Sequence, residues 1–438
     1  MKRYSVFVSC FVAIVACGGN NGNNGDDDDG NADANNGSGS GSQMGSGSNV
    51  ATGAPYAIPL TTPDESFWAP TLTIGGVGFV MDLDTGSTST GVAGSTCSNC
   101  SVSPEYTPGA GATDTGQTAT TQYEDDSGWS GEIYTDTIAL ENGSPNATLN
   151  IVDITAQMFA TDDPTYGFFD GNVYQGILGM GPPANAEPNT GAYFDTITQA
   201  GVPAEMAFEL CDSGGTMWLG GFDASHASGA PAYTPMDGSD QYFYSIDPAS
   251  VALGGSNLAG KTAADFQDWV VDTGTTFFYL PTKVESNLIT ALNNNASFKT
   301  LFPGTTLKDD PDGSGVGCTA NSSVTDAQVE SMLPPFQMTL PAAGGGSNVT
   351  VSATPLKSYL YDQGSGSFCL GVGNGGNGAG ATTMGDQIMQ AFVTVIDLQH
   401  NQIGWATDSG CNEPRRPRDR TTFRPHLPKP HHLGNRHH

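Results

Sequence analysis

Asp84-Thr85-Gly86-Ser87-Thr88 and Asp272-Thr273-Gly274-Thr275-Thr276 are two copies of one short motif. Each copy directly follows a short apolar run, Phe79–Leu83 in the first case and Trp269–Val271 in the second. This pattern is typical of a buried strand that ends at a turn containing glycine. Because both copies end a strand and carry hydroxyl residues, we expect an internal duplication in which two aspartates face each other across a cleft.

The rest of the chain predicts a mainly antiparallel, all-β fold. Its 438 residues are enough for two lobes with separate hydrophobic cores. Between residues 56 and 411, short stretches of Val, Ile, Phe, Tyr and Thr alternate with Gly, Pro, Asn and Asp. We expect helices only in short patches, such as 192–200 and 283–291. Residues 71–74 and 79–83 flank a glycine-rich segment, which predicts a hairpin that leads into Asp84.

The N-terminus has the pattern of an export signal. A basic start, Met1-Lys2-Arg3, precedes an apolar stretch over residues 4–16 and then Cys17. This resembles a bacterial lipoprotein signal over residues 1–17, which implies a lipid on Cys17 that anchors an exported protein facing the periplasm or the cell exterior. A plain secretory signal is the alternative. Residues 18–54, almost entirely Gly, Asn, Asp and Ser, predict a disordered linker.

The charge is unevenly distributed. The formal net charge is −31, and the stretch between the signal and Cys411 holds five lysines and no arginine. An acidic body repels nucleic acid and anionic lipid, so we exclude both as its partners. The remaining basic residues cluster in 412–438, which predicts a disordered basic tail. A weak metal-binding stretch, or a latch onto the acidic body or anionic surfaces, is the alternative for this tail.

Cysteine usage fits an exported protein. Apart from Cys10 and Cys17, the chain has six cysteines: Cys97, Cys100, Cys211, Cys318, Cys369 and Cys411. An even number predicts three disulfides, for which the sequence permits fifteen pairings. Cys97 and Cys100 have the spacing of half a zinc site or of a redox pair. Because no second pair or nearby histidine completes such a site, we expect neither a metal nor a cofactor.

Taken in order, the motifs resemble those of the pepsin-like aspartic proteases over nearly all of residues 56–411. The resemblance implies a bilobal fold with a cleft between an N-terminal lobe, 55–235, and a C-terminal lobe, 236–411. It rests on both Asp-Thr-Gly loops and on further segments that match the flap hairpin, the strands beneath the two loops and the closing strands: Tyr123–Gly131, Gly176–Met180, Thr383–Asp386, Phe392–Asp397 and Ile403–Ala406.

The resemblance implies an aspartic endopeptidase, a monomer acting on polypeptides, in which Asp84 and Asp272 activate water. Hydrolysis of an amide without a metal or covalent nucleophile needs one group to accept a proton from water and another to protonate the carbonyl oxygen. Two carboxyls held close together can do both, because like charges in contact cannot both ionise easily. We therefore expect the pair to hold one proton at acidic pH.

The residues around the pair also receive roles from the resemblance. Thr85 and Thr273 lock the loops together, Gly86 and Gly274 admit close approach of the backbone, and Ser87 and Thr275 bond the outer carboxylate oxygens. Gly179 and Gly385 leave space beneath the loops. Tyr123, Asp125 and Ser127 belong to the substrate-binding flap. Where the family usually has a tryptophan that bonds the flap tyrosine, this chain has Gly91, so either Trp129 packs there instead or the flap is looser.

The resemblance narrows the disulfides to three pairs: Cys97 with Cys100, Cys211 with Cys411, and Cys318 with Cys369. It also implies a preference for large apolar residues beside the scissile bond. Many members carry a basic pro-segment that blocks the cleft, but residues 18–53 contain no lysine or arginine, so we expect no such block here.

Two other functions fit parts of the sequence. A binding protein on the same scaffold, with weak or no catalysis, is compatible with Gly91, whereas intact residues at both loops argue against it. A polysaccharide hydrolase also uses two carboxylates. The matching strands beneath both loops make that second alternative weaker.

Overall fold

The computed structural model describes residues 54–63, 67–123, 126–160, 167–169, 173–258, 264–308 and 317–411. All of them lie in one compact unit. The predicted signal with Cys17, residues 18–53 of the predicted linker, and the tail 412–438 lie outside the described residues. Within the described ranges, no helix is both long and apolar enough to cross a membrane.

The first half of the chain builds a seven-stranded sheet in the order β2-β3-β8-β4-β7-β6-β5. The strands are β2 (Thr71–Ile74), β3 (Val77–Asp84), β4 (Thr90–Ala93), β5 (Thr113–Gln122), β6 (Gly128–Leu140), β7 (Ala147–Met158) and β8 (Gly176–Gly179). Strands β2 and β3 pair antiparallel, which confirms the predicted hairpin into Asp84. Strand β8 runs parallel to β3 and so brings Gly179 beside Asp84.

The second half builds three smaller sheets. A five-stranded sheet contains β12 (Ser245–Ile246), β15 (Trp269–Val271), β23 (Thr383–Met384), β16 (Phe278–Pro281) and β22 (Val372–Gly376), in that order. A four-stranded sheet contains, in order, β14 (Ser256–Asn257), β13 (Ser250–Leu253), β18 (Phe336–Leu340) and β19 (Val349–Ala353). A three-stranded sheet contains, in order, β17 (Cys318–Ala320), β21 (Ser367–Leu370) and β20 (Leu360–Asp362). Strands β15 and β23 run parallel, as β3 and β8 do in the first half.

A six-stranded sheet joins strands from both halves. Its order is β1 (Tyr56–Leu60), β10 (Gly214–Leu219), β9 (Glu205–Cys211), β24 (Phe392–Asp397), β25 (Gln402–Thr407) and β11 (Ala232–Pro235). The central pairing is β9 with β24, so a late strand of the second half lies against a late strand of the first half. The predicted boundary between the lobes, after residue 235, coincides with the end of the edge strand β11.

The described helices are short: α1 (Tyr193–Gln199), α2 (Thr282–Asn294), α3 (Ala296–Leu301), α4 (Asp326–Met332) and α5 (Asp386–Met389). Helices α1 and α2 confirm the two predicted patches. Helix α2 buries Val284, Leu288 and Leu292, which recur at every fourth position and face the core. Glu285 and Ile289 of the same helix are buried as well. The architecture is predominantly β-sheet, as predicted.

Two apolar clusters position the candidate site. The larger runs beneath both halves and includes Met81, Leu83 and Trp269. A second cluster covers the opposite face of the seven-stranded sheet, where the hairpin of β5 and β6 folds over it. We call it the flap cluster; its members include Trp129, Ile154, Phe168, Phe169, Tyr174 and Ile177.

Candidate active site

The two aspartates occupy equivalent places in the two halves. Asp84 is the last residue of β3, and its carbonyl accepts a hydrogen bond of 2.7 Å from the Met180 N–H just beyond β8. Asp272 follows β15, and its N–H donates over 3.1 Å to the carbonyl of Met384, at the end of β23. Both carboxyls are buried. Equivalent parallel strands thus deliver both aspartates, as a duplicated motif requires.

Each carboxyl is held by its own loop in the same way. Asp84 Oδ1 accepts from the Gly86 N–H over 2.7 Å, and the Ser87 hydroxyl donates to Oδ2. Asp272 Oδ1 accepts from the Gly274 N–H over 2.8 Å, and its Oδ2 accepts from the Thr275 hydroxyl over 2.7 Å. Four donors therefore fix the two carboxyl groups in one orientation each.

The two carboxyls face each other at close range. Asp272 is close enough to raise the pKa of the Asp84 carboxyl. A Cβ atom at Gly86 would lie 2.6 Å from the Asp272 carboxyl, and one at Gly274 would lie 2.5 Å from Asp84 Oδ1. Any side chain at either glycine would collide with the aspartate of the opposite loop. The glycines are thus required chiefly by the opposite carboxyl.

Thr85 and Thr273 join the two loops reciprocally. The Thr85 hydroxyl donates to the Val271 carbonyl over 2.8 Å and accepts from the Thr273 N–H over 3.0 Å. The Thr273 hydroxyl donates to the Leu83 carbonyl over 2.7 Å and accepts from the Thr85 N–H over 3.1 Å. Both threonines are fully buried, so these hydrogen bonds are shielded from water.

The two positions beneath the loops also require glycine for steric reasons. A Cβ atom at Gly179 would lie 2.3 Å from the Thr88 carbonyl carbon, and one at Gly385 would lie 2.2 Å from the Thr275 carbonyl oxygen. Both distances are shorter than any Cβ contact a folded chain accommodates without backbone movement. Close packing of a strand under each loop therefore excludes every other residue at these positions.

Burial raises the pKa of the Asp84 carboxyl well above its usual range, and the negative charge of Asp272 raises it further. The hydrogen bonds from Ser87 and from the Gly86 N–H act in the opposite direction but are outweighed. One proton is therefore retained on the pair at a pH where an isolated aspartate is ionised. The titration belongs to the two carboxyls together.

Strands β5 and β6 form a hairpin that carries Tyr123. The Tyr123 N–H donates to the Ser127 carbonyl over 2.8 Å, and the Asp126 N–H donates to the Tyr123 carbonyl over 3.1 Å. The Tyr123 ring stacks on Phe168, with 5.5 Å between ring centroids. Burial raises the pKa of the Tyr123 phenol, and so does the charge of Asp84. Asp125, also predicted to bind substrate, lies outside the described residues.

Trp129 occupies the space in front of Gly91. A Cβ atom at Gly91 would lie 3.1 Å from Ile154 Cδ1 and 3.6 Å from Trp129 Cε2. The indole N–H of Trp129 donates to the Tyr123 hydroxyl over 3.0 Å. Of the two alternatives that Gly91 leaves open, the structure has the first: a tryptophan from β6 packs there and bonds the flap tyrosine.

The structure contains three disulfides, Cys97–Cys100, Cys211–Cys411 and Cys318–Cys369. These are the pairs that the resemblance implies. Cys97 and Cys100 are bonded to each other, so neither provides a thiolate for zinc. Cys211–Cys411 ties the end of β9 to the residues that follow β25, across the six-stranded sheet.

Two residues near Asp84 were not predicted from the sequence. Asn185 donates through Nδ2 to the Gly86 carbonyl over 3.0 Å and so supports the first loop from a distant segment. No local pattern marks it. Asp82 lies two residues before Asp84 and is buried. In the sequence, Asp82 is the one charged residue of the otherwise apolar run Phe79–Leu83.

Comparison with known proteins agrees with this geometry. Residues 68–408 match the family described as eukaryotic aspartyl protease. An aspartic protease of Phaffia rhodozyma is 27% identical over 361 residues, covering 81% of this chain and 79% of the relative. Pepsin-2B of Gadus morhua is 26% identical over 366 residues, covering 80% of this chain and 94% of the relative. Rhizopuspepsin-4 of Rhizopus niveus is 25% identical over 333 residues, covering 73% of this chain and 72% of the relative.

The family match begins just before the first Asp-Thr-Gly loop and ends just before the last described residue. It therefore spans both loops, the flap hairpin and the strands beneath the loops. The chain belongs to the pepsin-like family of eukaryotic aspartyl proteases, a family of aspartic endopeptidases.

Proposed function

We propose that Asp84 and Asp272 form the catalytic pair of this endopeptidase and hydrolyse peptide bonds at acidic pH. The observation that carries the proposal is the mutual arrangement of the two carboxyls. Each carboxyl lies against the glycine of the opposite loop, each is held by its own loop, and the pKa of Asp84 is raised by burial and by Asp272. Such a pair keeps one proton and one negative charge.

In this mechanism a water molecule lies between the carboxyls. The ionised carboxyl accepts a proton from the water as its oxygen attacks the carbonyl carbon, and the protonated carboxyl donates to the carbonyl oxygen. The reciprocal hydrogen bonds of Thr85 and Thr273 keep the two groups in register. Tyr123, on the hairpin above, closes over the substrate and excludes bulk water.

The substrate is an extended polypeptide strand in the cleft, whose alternate side chains enter pockets on either side. A glycosidase role is disfavoured, because glycosidases place their two carboxyls about 5 to 9.5 Å apart. Here Asp272 raises the pKa of the Asp84 carboxyl, which fits a pair that shares one proton better than two separated carboxyls.

One assay tests the proposal. An unfolded protein is digested across pH 2 to 7 with wild type, with wild type plus pepstatin, and with Asp84→Asn. We expect proteolysis in the acidic range that pepstatin blocks and the substitution abolishes. Proteolysis that survives Asp84→Asn would exclude this mechanism, and no proteolysis at any pH would favour a binding protein on the same scaffold.

We further propose that the protein is exported as a monomer and anchored by a lipid on Cys17. The three disulfides fit an oxidising compartment, and the basic start and apolar stretch before Cys17 fit a lipoprotein signal. In a bacterial host, Cys17→Ser should move the protein from the membrane fraction to the soluble fraction. An unchanged distribution would favour a plain secretory signal.

A further inference from the structure

The segment that follows β8 lies along the first Asp-Thr-Gly loop. We call residues 181–190 the arch. At its start, the Gly181 N–H donates to the Ser87 carbonyl over 2.7 Å. Further along, the Glu187 N–H donates to the Ser89 hydroxyl over 2.8 Å. The arch therefore contacts the loop at more than one point just beyond Asp84.

The arch is itself held in place. Pro182 and Pro188 fix the backbone φ angle at two positions, and a 3₁₀ turn covers Pro183–Asn185. Near its end, Asn150 of β7 donates through Nδ2 to the Asn189 carbonyl over 2.8 Å. Because both ends are bonded and the backbone between them is restricted, a side chain of the arch can hold another group at a fixed place.

Asn185 is the side chain that does so. Its Nδ2 donates to the Gly86 carbonyl over 3.0 Å, and since a carbonyl only accepts, the amide nitrogen must face it. Gly86 is the loop residue that contacts both carboxyls. Its N–H donates to Asp84 Oδ1 over 2.7 Å, and a Cβ atom there would lie 2.6 Å from the Asp272 carboxyl. Asn185 therefore holds the residue that lies between the two aspartates.

The corresponding segment of the second half supports its loop through the backbone. After β23 the chain enters α5, where the Asp386 N–H donates to the Thr275 carbonyl over 2.7 Å and the Gln387 N–H donates to the Thr276 carbonyl over 3.0 Å. Backbone donors of this kind persist when side chains are exchanged. The bond from Asn185 is made by a side chain, so a single substitution removes it and makes its contribution measurable.

We propose that Asn185 is a positioning residue for the reaction: by holding the Gly86 carbonyl, it keeps the Gly86 N–H directed at the Asp84 carboxylate. The inference rests on the proposed function, since it concerns the same pair. An N–H that donates to a carboxylate favours the ionised form, and this bond lowers the pKa of Asp84 against the larger effects of burial and Asp272. Loss of Asn185 should therefore slow the reaction and raise the pH at which the pair loses its first proton.

The first variant, Asn185→Leu, keeps a side chain of similar size but has no donor. We expect kcat to fall about tenfold while KM changes less than about twofold. The acidic limb of kcat against pH should move upward by roughly half a pH unit or more. Titration with pepstatin counts the active molecules, so that a partly unfolded preparation does not imitate the loss.

The second variant, Asn185→Asp, restores the bond in one protonation state. A protonated carboxyl donates to the Gly86 carbonyl, whereas an ionised carboxylate only accepts. Asn185 is half-buried, so an aspartate there should titrate near the ordinary pKa of about 3.9. The kcat of this variant relative to wild type should be near one at pH 3 and fall about tenfold by pH 5.5. Asn189→Asp, at an exposed position of the arch, adds the same charge and should keep a ratio near one throughout.

Thermal unfolding of the same variants separates a positioning role from a merely structural one. An Asn185→Leu variant that is less stable but keeps the wild-type kcat and acidic limb would overturn the inference. So would an Asn185→Asp variant that loses the same fraction of activity at every pH, or one that Asn189→Asp matches. Proteolysis that survives Asp84→Asn would instead contradict the proposed function, whatever the Asn185 variants do.

Discussion

The Thr85 hydroxyl oxygen lies 3.0 Å from the backbone nitrogen of Thr273, and the Thr273 hydroxyl oxygen lies 3.1 Å from that of Thr85. Each hydroxyl also donates to a carbonyl of the opposite loop, Val271 or Leu83. The four hydrogen bonds join segments that are far apart in sequence and adjoin the two aspartates directly. The relative position of the carboxyls therefore depends on these two side chains.

Replacing Thr85 with valine should be costly for this reason. The substitution keeps the shape but leaves the Thr273 N–H and the Val271 carbonyl buried without these partners, which costs about 2–4 kcal/mol of unfolding free energy. Thermal unfolding measures the loss. Thr90→Val is the matched control, because the Thr90 hydroxyl is buried with no hydrogen-bond partner in the described structure. Equal stability of the two variants would contradict the role given to Thr85.

Trp129→Phe should weaken the flap. The variant keeps an aromatic ring beside Gly91 but loses the hydrogen bond to the Tyr123 hydroxyl. We expect kcat/KM to fall about tenfold, the equivalent of one hydrogen bond of about 1.4 kcal/mol. A double-mutant cycle with Tyr123→Phe provides the control, since either substitution removes the same bond. If the activation free energies lost in the two single variants simply add in the double variant, the hydrogen bond between Trp129 and Tyr123 does not contribute.

The Cys211–Cys411 disulfide should matter far more for stability than Cys97–Cys100. The first joins residues 200 positions apart and the second residues only 3 apart. In the chain-entropy description, removing the disulfide that closes the long loop lowers the free energy of unfolding by about 5 kcal/mol, and removing the one that closes the short loop lowers it by about 2 kcal/mol. Denaturation of Cys411→Ser and Cys100→Ser variants compares them, with peptide mapping of the unreduced protein to verify the pairs. Equal losses, or different pairs in the map, would refute the expectation.

Asp153 should make stability depend on pH. Its side chain is buried, Oδ1 has no hydrogen-bond partner in the described structure, and burial raises the pKa of its carboxyl from 3.8 to about 7. Because the folded state then binds the proton more tightly than the unfolded state, the free energy of unfolding falls as pH rises from about 4 to about 7.

Asp153→Asn removes this titration, so the variant should lose less stability than wild type between pH 4 and pH 7. The difference should be about 1–3 kcal/mol, measured by chemical denaturation at both pH values. Exposed Asp114 provides the control substitution, Asp114→Asn, which should leave the wild-type dependence unchanged. An identical drop in wild type and Asp153→Asn would show that another group is responsible.

Much of the fold follows from local sequence. The short apolar run before each Asp-Thr-Gly predicts the strands that deliver Asp84 and Asp272, and the glycine-rich segment 75–78 predicts the hairpin of β2 and β3. The patches 192–200 and 283–291 likewise predict the short helices α1 and α2. These features depend on residues close together in the chain, which is why the sequence predicts them.

Other features depend on strand register and could not be predicted. The choice between Trp129 and a looser flap needed the pairing of β6 with β7, which brings Trp129 over Gly91. The collision that forbids a side chain at Gly86 comes from Asp272, on the opposite loop. The sequence places Asp82 in a buried apolar run, and only the pairing of β3 with β8 shows that its neighbour there is Ile177. The six-stranded sheet likewise combines β1 with strands from residues 205–235 and 392–407.

The central claim is that Asp84 and Asp272 act as one unit. It is tested most directly by kcat/KM against pH from 2 to 7 for wild type, Asp84→Asn, Asp272→Asn and the double variant. We predict a bell-shaped profile for wild type, a loss of at least about 10³-fold in each single variant, and no further loss in the double variant. A single variant that retains activity near the wild-type level, or losses that multiply in the double variant, would contradict the account.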